Sequence, residues 1–242
     1  MKSILITGAS QGIGRKTAEM FLEAGWRVGL VARNGEKLEA IASHYDTAVA
    51  LPADVTDPNM MEAVFDAFVD QAGRLDALFN NAGMFGTAGT IDTLEVDDFD
   101  RVMNVNVRGM FIAARLAFRH MRQQNPQGGR IINNGSLSAY VPREGSICYT
   151  TSKHAITGMT RTLSLDGRPF DISCGQIDIG NAATDLVASL NSALVEAGKP
   201  AIDTMAVEDA ARSVLHMAEM PASANVQFMT VMATKMPYIG RG

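Results

Sequence analysis

The chain is poor in cysteine, in aromatic residues and in long apolar runs. Two cysteines, Cys148 and Cys174, stand in 242 residues. That is too few for a disulfide framework, so a reduced, cytoplasmic setting is expected. Aromatic residues make up 6% of the chain, with a single tryptophan. No stretch reaches the roughly 18 uncharged apolar residues that a membrane helix needs, so no membrane partner is expected. The opening MKSILITG meets a glycine before it could serve as a signal-peptide core. Positive charge is scarce too. The net charge is -5 and the pI near 5.4, with no clustered Lys/Arg stripe, which argues against nucleic acid. Histidine, cysteine and carboxylates show no ligand spacing, so no metal is expected. Repeats, low-complexity tracts and domain linkers are also missing.

What remains is ordinary globular material, 47% hydrophobic and 19% charged, of a length that suits a single α/β domain. The 15 methionines read as adaptable core filler. Apolar runs of strand length recur at 3–7, 27–32 and 47–51, in LDALFNNAG, GRIINNGS and FDISCGQI, and finally in VQFMTVMA. Between them lie helical patterns at 12–24, 36–43, 58–71, 96–121, 147–165, 182–197 and 207–217. Asp57 and Pro58 mark one helix start, and Gly25 marks one helix end. The stretch 96–121 should break near 104–106. Near-continuous apolar strands alternating with helices predict a doubly wound, mainly parallel seven-stranded sheet covered on both faces. Ligands in such sheets bind beyond the carboxyl ends of the strands.

ITGASQGIG places Gly8, Gly12 and Gly14 between the first strand and the first helix. Backbone N–H groups there can face a pyrophosphate at a helix N-terminus. The spacing is G-x-x-x-G-x-G, and the Lys-Ser/Thr of a phosphate-hydrolysing loop is missing. Tyr149 and Lys153 lie four residues apart in a helical stretch and so share a face. A phenol is a poor base near neutral pH unless a neighbouring cation stabilises its phenolate. An ammonium placed beside it makes a usable acid/base pair.

Taken together, GASQGIG, Asp54-Val55, NNAG at 80–83, Asn106 in NVNVRG, Ser136 in RIINNGS and YTTSK make this chain resemble the short-chain dehydrogenase/reductase family. The resemblance spans nearly the whole length and implies a Rossmann-like fold. Residues 1–100 would be mainly the cofactor-binding half. Residues 101–242 would be the catalytic and substrate half, with a flap at about 181–205. It implies a catalytic set of Asn106, Ser136, Tyr149 and Lys153. Tyr149 would exchange a proton with the alcohol or carbonyl oxygen, and Ser136 would orient that oxygen. Lys153 would hold the nicotinamide ribose and stabilise the phenolate, and Asn106 would hold a water leading to solvent. Cofactor contacts would come from Gly8, Ser10, Gln11, Gly12, Ile13, Gly14, Ala32, Arg33, Asn34, Asp54, Val55, Asn81, Ala82, Gly83, Tyr149, Lys153, Ile179, Gly180 and Thr184. The second strand ends in VARN: Ala32 stands where NAD-preferring relatives carry Asp, and Arg33 can pair with a 2′-phosphate, so NADP(H) is preferred over NAD(H).

The chain departs from the family at two places. Ile179 occupies the usual proline position after the sixth strand, with Asp178 unusually close to the cofactor. Gly135 replaces the first serine of the common small-Ser-Ser ending. Substrate contacts are expected from Leu137, Tyr140, Val141, Arg143, Leu186 and Leu190, a largely apolar set suited to a medium-sized alcohol, aldehyde or ketone. His154 reads as packing or an interface. The apolar tail implies a homotetramer or homodimer. The leading function is an NADP(H)-dependent alcohol dehydrogenase or carbonyl reductase. Alternatives are a 3-oxoacyl-carrier-protein reductase and a non-catalytic NADP(H)-binding regulator. An extended epimerase or dehydratase would want a larger C-terminal domain than this length accommodates.

Overall fold

Strands rich in Ile, Val and Leu with no polar face must be covered on both sides, and the fold does this. The computed structural model describes residues 1–196 and 198–239, without the side chains of Leu186 and Ala193. Seven strands, β1 (Ser3–Thr7), β2 (Arg27–Ala32), β3 (Ala48–Pro52), β4 (Ala77–Asn80), β5 (Gly129–Asn134), β6 (Ile172–Ile179) and β7 (Phe228–Val231), form one sheet in the order β3-β2-β1-β4-β5-β6-β7. Every pairing is parallel, so the sheet is wholly rather than mainly parallel. The order reverses between β1 and β4, which opens a cleft at their carboxyl ends.

Alternation along the strands sorts the core into two layers. Ile4, Ile6, Val28, Leu30, Phe79, Ile132 and Ile177 face α1 (Gly12–Glu23), α2 (Gly35–Ala42) and α8 (Val207–Glu219) with Phe21, Leu38 and Val214. Leu5, Val31, Leu78, Ile131 and Cys174 face α3 (Pro58–Ala72) and α5 (Met110–Gln123) with Phe65, Phe68 and Leu116. Truncating a fully buried aromatic such as Phe65 or Phe68 should cost about 3–5 kcal/mol. Both cysteines are free and buried.

Local signals explain the ends. Asp57 Oδ1 accepts from the amides of Asn59 and Met60, with Pro58 as the first residue of α3. Gly25, at φ 81°, ends the turn after α1. The long helical stretch splits as its sequence suggests. α4 (Val96–Met103) passes into α5 through a π-helical turn at Asn104–Gly109. Short 3₁₀ turns at Ile91–Thr93, Leu137–Ala139 and Arg168–Phe170 carry no periodicity long enough to read from sequence. α6 spans Ile147–Gly167, and α7 spans Asp185–Glu196, three residues later at its start than the pattern suggested.

Candidate active site

The cleft begins at the glycine loop. Gly8 has φ 68°, a conformation that strains other residues. A Cβ on Gly14 would overlap the Gly8 carbonyl and lie 2.6 Å from Asn81 Nδ2. α1 therefore starts tight against β1. Its N-cap, Gln11, makes no side-chain cap bond, and its first turn holds no acidic residue. The first amides and the positive end of the helix dipole are left for an outside anion. This cradle fits the pyrophosphate of a dinucleotide.

The motif NNAG ties the cleft walls together. Asn81 donates its backbone N–H to Thr7 Oγ1 at 2.9 Å and its side-chain amide to the Thr7 carbonyl at 2.9 Å. Its Oδ1 accepts from Asn134 Nδ2 at 2.8 Å, and the Ala82 amide also reaches Thr7 Oγ1. Thr184 brings the far wall in. Its Cγ2 lies 3.3 Å from where a Cβ of Gly12 would stand, so the two predicted cofactor segments meet.

At the adenosine end, Ala32 ends β2 half-buried and Arg33 is exposed beside it. Asn34 caps α2 by accepting from the Lys37 amide at 3.0 Å. Asp54 accepts from the Thr56 amide and hydroxyl, and these bonds, then the Arg33 charge, hold its carboxyl below the usual carboxylate range. Val55 points its side chain into the core against Gly109, which leaves its backbone as the part that can face the cleft. Ile13 likewise packs on the core. Gly83 sits close against Asn106 Oδ1.

The catalytic candidates converge at the carboxyl ends of β4 and β5. Tyr149 and Lys153 share a face of α6, with the ammonium 5.4 Å from the phenol ring centroid. Lys153 is buried and donates to the Asn134 carbonyl at 2.8 Å. That carbonyl lies two residues before Ser136, so the helix is tied to the Ser136 turn. Ser136 is buried and caps the following 3₁₀ turn, its Oγ accepting from the Ser138 amide at 3.1 Å. The π-helical turn directs Asn106 inward, where it is fully buried. Asn106 Oδ1 accepts from the Met84 amide at 2.8 Å. Its Nδ2 donates to the Met84 carbonyl at 2.8 Å and to Ser152 Oγ at 3.0 Å. Both amide protons are thus committed, and acceptor atoms alone remain for a water.

Phe85 is the site residue that sequence reasoning missed. Its ring stacks on Tyr149 with centroids 4.7 Å apart and planes at 28°, and it remains 38% exposed. The one signal was an aromatic residue two places past Gly83. Arg143 stands 6.0 Å from the Phe85 centroid. Leu137 is buried, Val141 half-buried, and Leu190 exposed on α7. The Leu186 side chain lies outside the described residues. Tyr140 is 41% exposed, and the burial of the rest of its side chain, then the negative charge of Asp178, holds its pKa above the usual phenol value. Ile179 continues β6 and pairs with Val231. Gly180 follows with its amide on the Val231 carbonyl at 2.7 Å. Exposed His154 donates from Nδ1 to the Thr150 carbonyl at 2.9 Å.

Known proteins are similar to this chain in sequence and in fold. The family model described as short chain dehydrogenase matches residues 2–194. The 2-(R)-hydroxypropyl-CoM dehydrogenase of Xanthobacter autotrophicus is 36% identical over 189 residues, 75% of each protein. The 3-ketoacyl-(acyl-carrier-protein) reductase of Brucella melitensis, solved with NADH, superposes with a TM-score of 0.84 at 26% identity over 96% of both chains. ElxO with NADP bound gives 0.86 at 25% identity, covering 96% of this chain and 97% of its own. With the motifs in order, the cleft built around them and the match over most of its length, this chain belongs to the short-chain dehydrogenase/reductase family of NAD(P)(H)-dependent oxidoreductases.

Proposed function

We propose that the protein interconverts an alcohol and an aldehyde or ketone by direct hydride transfer with NADP(H), with Tyr149 as general acid/base. The carrying observation is the convergence of Tyr149, Lys153 and the Ser136 turn opposite the glycine cradle. Bound in that cleft, the nicotinamide supplies or accepts the hydride. The rest is done by the chain. In reduction Tyr149 gives its phenolic proton to the carbonyl oxygen, Ser136 donates a hydrogen bond to the same oxygen, and Lys153 stabilises the phenolate left behind. Oxidation runs these steps in reverse. Asn106 clamps the helix break to Met84 and Ser152, and so keeps Lys153 in register with the cleft.

Exposed Arg33 at the end of β2, with Ala32 in place of a carboxylate, supports the preference for NADP(H). α7 serves as the flap, with Leu190 facing substrate. Phe85 and Arg143 form the mouth. Exposed Phe111 in the cavity it shares with Met103, Val107 and Met159, and exposed Phe228 on the β7 edge, support assembly as a dimer or tetramer. No helix among the described residues is long and apolar enough to cross a membrane, in keeping with a cytoplasmic enzyme. A second reading, reduction of a 3-oxoacyl thioester, is favoured by the likeness to the Brucella melitensis reductase.

The test is NADPH oxidation over a panel of aldehydes, ketones and an acyl thioester, with Tyr149→Phe as control. Turnover abolished by Tyr149→Phe supports the mechanism, and the best substrate chooses between the two readings. NADP(H) binding with no turnover anywhere on the panel would favour a regulator that does no chemistry.

A further inference from the structure

Gly135, one of the two departures from the family pattern, and Asp178, noted beside the other, are one feature of the structure. A Cβ on Gly135 would overlap Asp178 Oδ1 and lie 2.6 Å from Gln176 Nε2. The space behind the Ser136 turn is filled from β6 by a carboxylate and an amide. Asp178 is 1% exposed. Its Oδ1 accepts from the Ser136 backbone N–H at 2.8 Å and from Gln176 Nε2 at 2.7 Å. Gln176 Nε2 also reaches Thr157 Oγ1 at 3.1 Å, and Gln176 Oε1 accepts from Thr160 Oγ1 at 3.3 Å. Thr157 donates in turn to the Lys153 carbonyl at 3.3 Å. The network therefore joins the Ser136 turn to the helix that carries Tyr149 and Lys153.

The second carboxylate oxygen, Oδ2, is buried with no hydrogen-bond partner among the described residues. Such an oxygen is costly unless something pairs with it, and a carboxylate binds an N–H or O–H roughly twice as strongly as a neutral acceptor. Tyr140 ends the same 3₁₀ turn that Ser136 begins. Lys153 supplies the nearby positive charge.

We propose that Asp178 is a positioning residue: Oδ1 sets Ser136 against Tyr149 through the Ser136 amide, fixing the start of the turn that faces the substrate. Gly135 is its steric partner. The proposal rests on the reading of Ser136 and Tyr149 given above. Oδ1 is held between the Ser136 amide and Gln176 Nε2, so the effect of Asp178 is read through Ser136, with NADP(H) affinity expected unchanged.

The experiment compares the full chain as wild type, Asp178→Ala, Asp178→Asn, Ser136→Ala and the Ser136→Ala/Asp178→Ala double variant, on the best substrate of the panel. Asp178→Ala should lower kcat about tenfold to a hundredfold, as expected when a reacting group is misplaced, with KM for NADPH unchanged. Asp178→Asn retains an acceptor for the Ser136 amide, so it should fold and lose less. On the Ser136→Ala background the further loss should be under about twofold, since groups acting as a unit are non-additive. An equal fractional loss on both backgrounds, or a lowered Tm with unchanged kcat, would overturn the proposal and leave Asp178 a packing residue. A second readout needs no turnover: the Ser136 amide proton resonance should move upfield in Asp178→Ala and stay near its place in Asp178→Asn. An unmoved resonance in Asp178→Ala defeats the proposal even if no substrate is found. A wild type silent on the whole panel defeats the functional reading instead.

Discussion

The two loops that close on the cofactor cleft are built by different means. The loop between β1 and α1 shapes its wall with backbone: Gly8 at positive φ, and Gly14 pressed against the Gly8 carbonyl. The segment from Gln176 to Thr184 supports the opposite wall with side chains: a buried amide and carboxylate behind the Ser136 turn, and then Thr184 against Gly12. A backbone cradle tolerates no side chain at Gly8 or Gly14, where an added Cβ would press on backbone. A side-chain wall can be rebuilt from other residues so long as its volume and hydrogen bonds are matched.

The comparison can be broken most violently at Gly14. Gly14→Ala forces a methyl group onto backbone, and overpacking of this kind costs about 1–3 kcal/mol; NADP(H) binding should be lost, read by fluorescence titration beside a Tm. Tyr149→Phe should leave the fold and NADP(H) binding intact yet lower kcat by about 10²–10⁴, the range for losing a general acid/base. Arg33→Ala should weaken NADPH by about tenfold to a hundredfold, from a charge-assisted bond of about 1.5–3 kcal/mol, with little change for NADH. Equal loss for both cofactors would remove Arg33 from the 2′-phosphate. Phe85→Ala should raise KM for the carbonyl substrate a few-fold, since aromatic pairing is worth about 0.5–1.5 kcal/mol, and leave KM for NADPH unchanged.

The smallest effect sharpens the side-chain wall through pH. Burial holds the Asp178 carboxyl above the usual carboxylate range. A carboxyl whose folded pKa is raised contributes stability that is full below its unfolded value, near pH 4, and is lost as pH climbs through the higher folded value. Asp178→Asn does not titrate, so its Tm should gain on the wild type as pH is raised from about 4 to about 8. A Tm difference that stays flat with pH would mean that the hydrogen bonds to the carboxylate and the Lys153 charge offset its burial in full.

Much of the site could be read from residues because its parts sit in local patterns. The glycine spacing, the Tyr149–Lys153 pair on one helix face and the break at Asn106 each lie within a few residues of chain. The strands showed themselves by continuous apolar runs, and α3 by its Asp57-Pro58 start. Harder to see were contacts between segments far apart. Phe85 meets Tyr149 from another part of the chain, and nothing local marks it as more than a loop aromatic. Asp178 and Gly135 each read as an oddity, and their relation exists in space alone.

By itself, then, the sequence determined the strand and helix alternation, the doubly wound class and the residues able to do acid/base and phosphate chemistry. Period, capping and spacing act over short stretches, so they can be read one residue after another. Tertiary structure alone decided that the sheet is parallel throughout and that Thr184 closes on Gly12. It also decided that both amide protons of Asn106 are spent on Met84 and Ser152, and that a buried carboxylate from β6 stands behind Ser136. Each of these is a meeting of side chains or strands remote in sequence. Which remote groups meet is set by how the whole sheet and its helices pack.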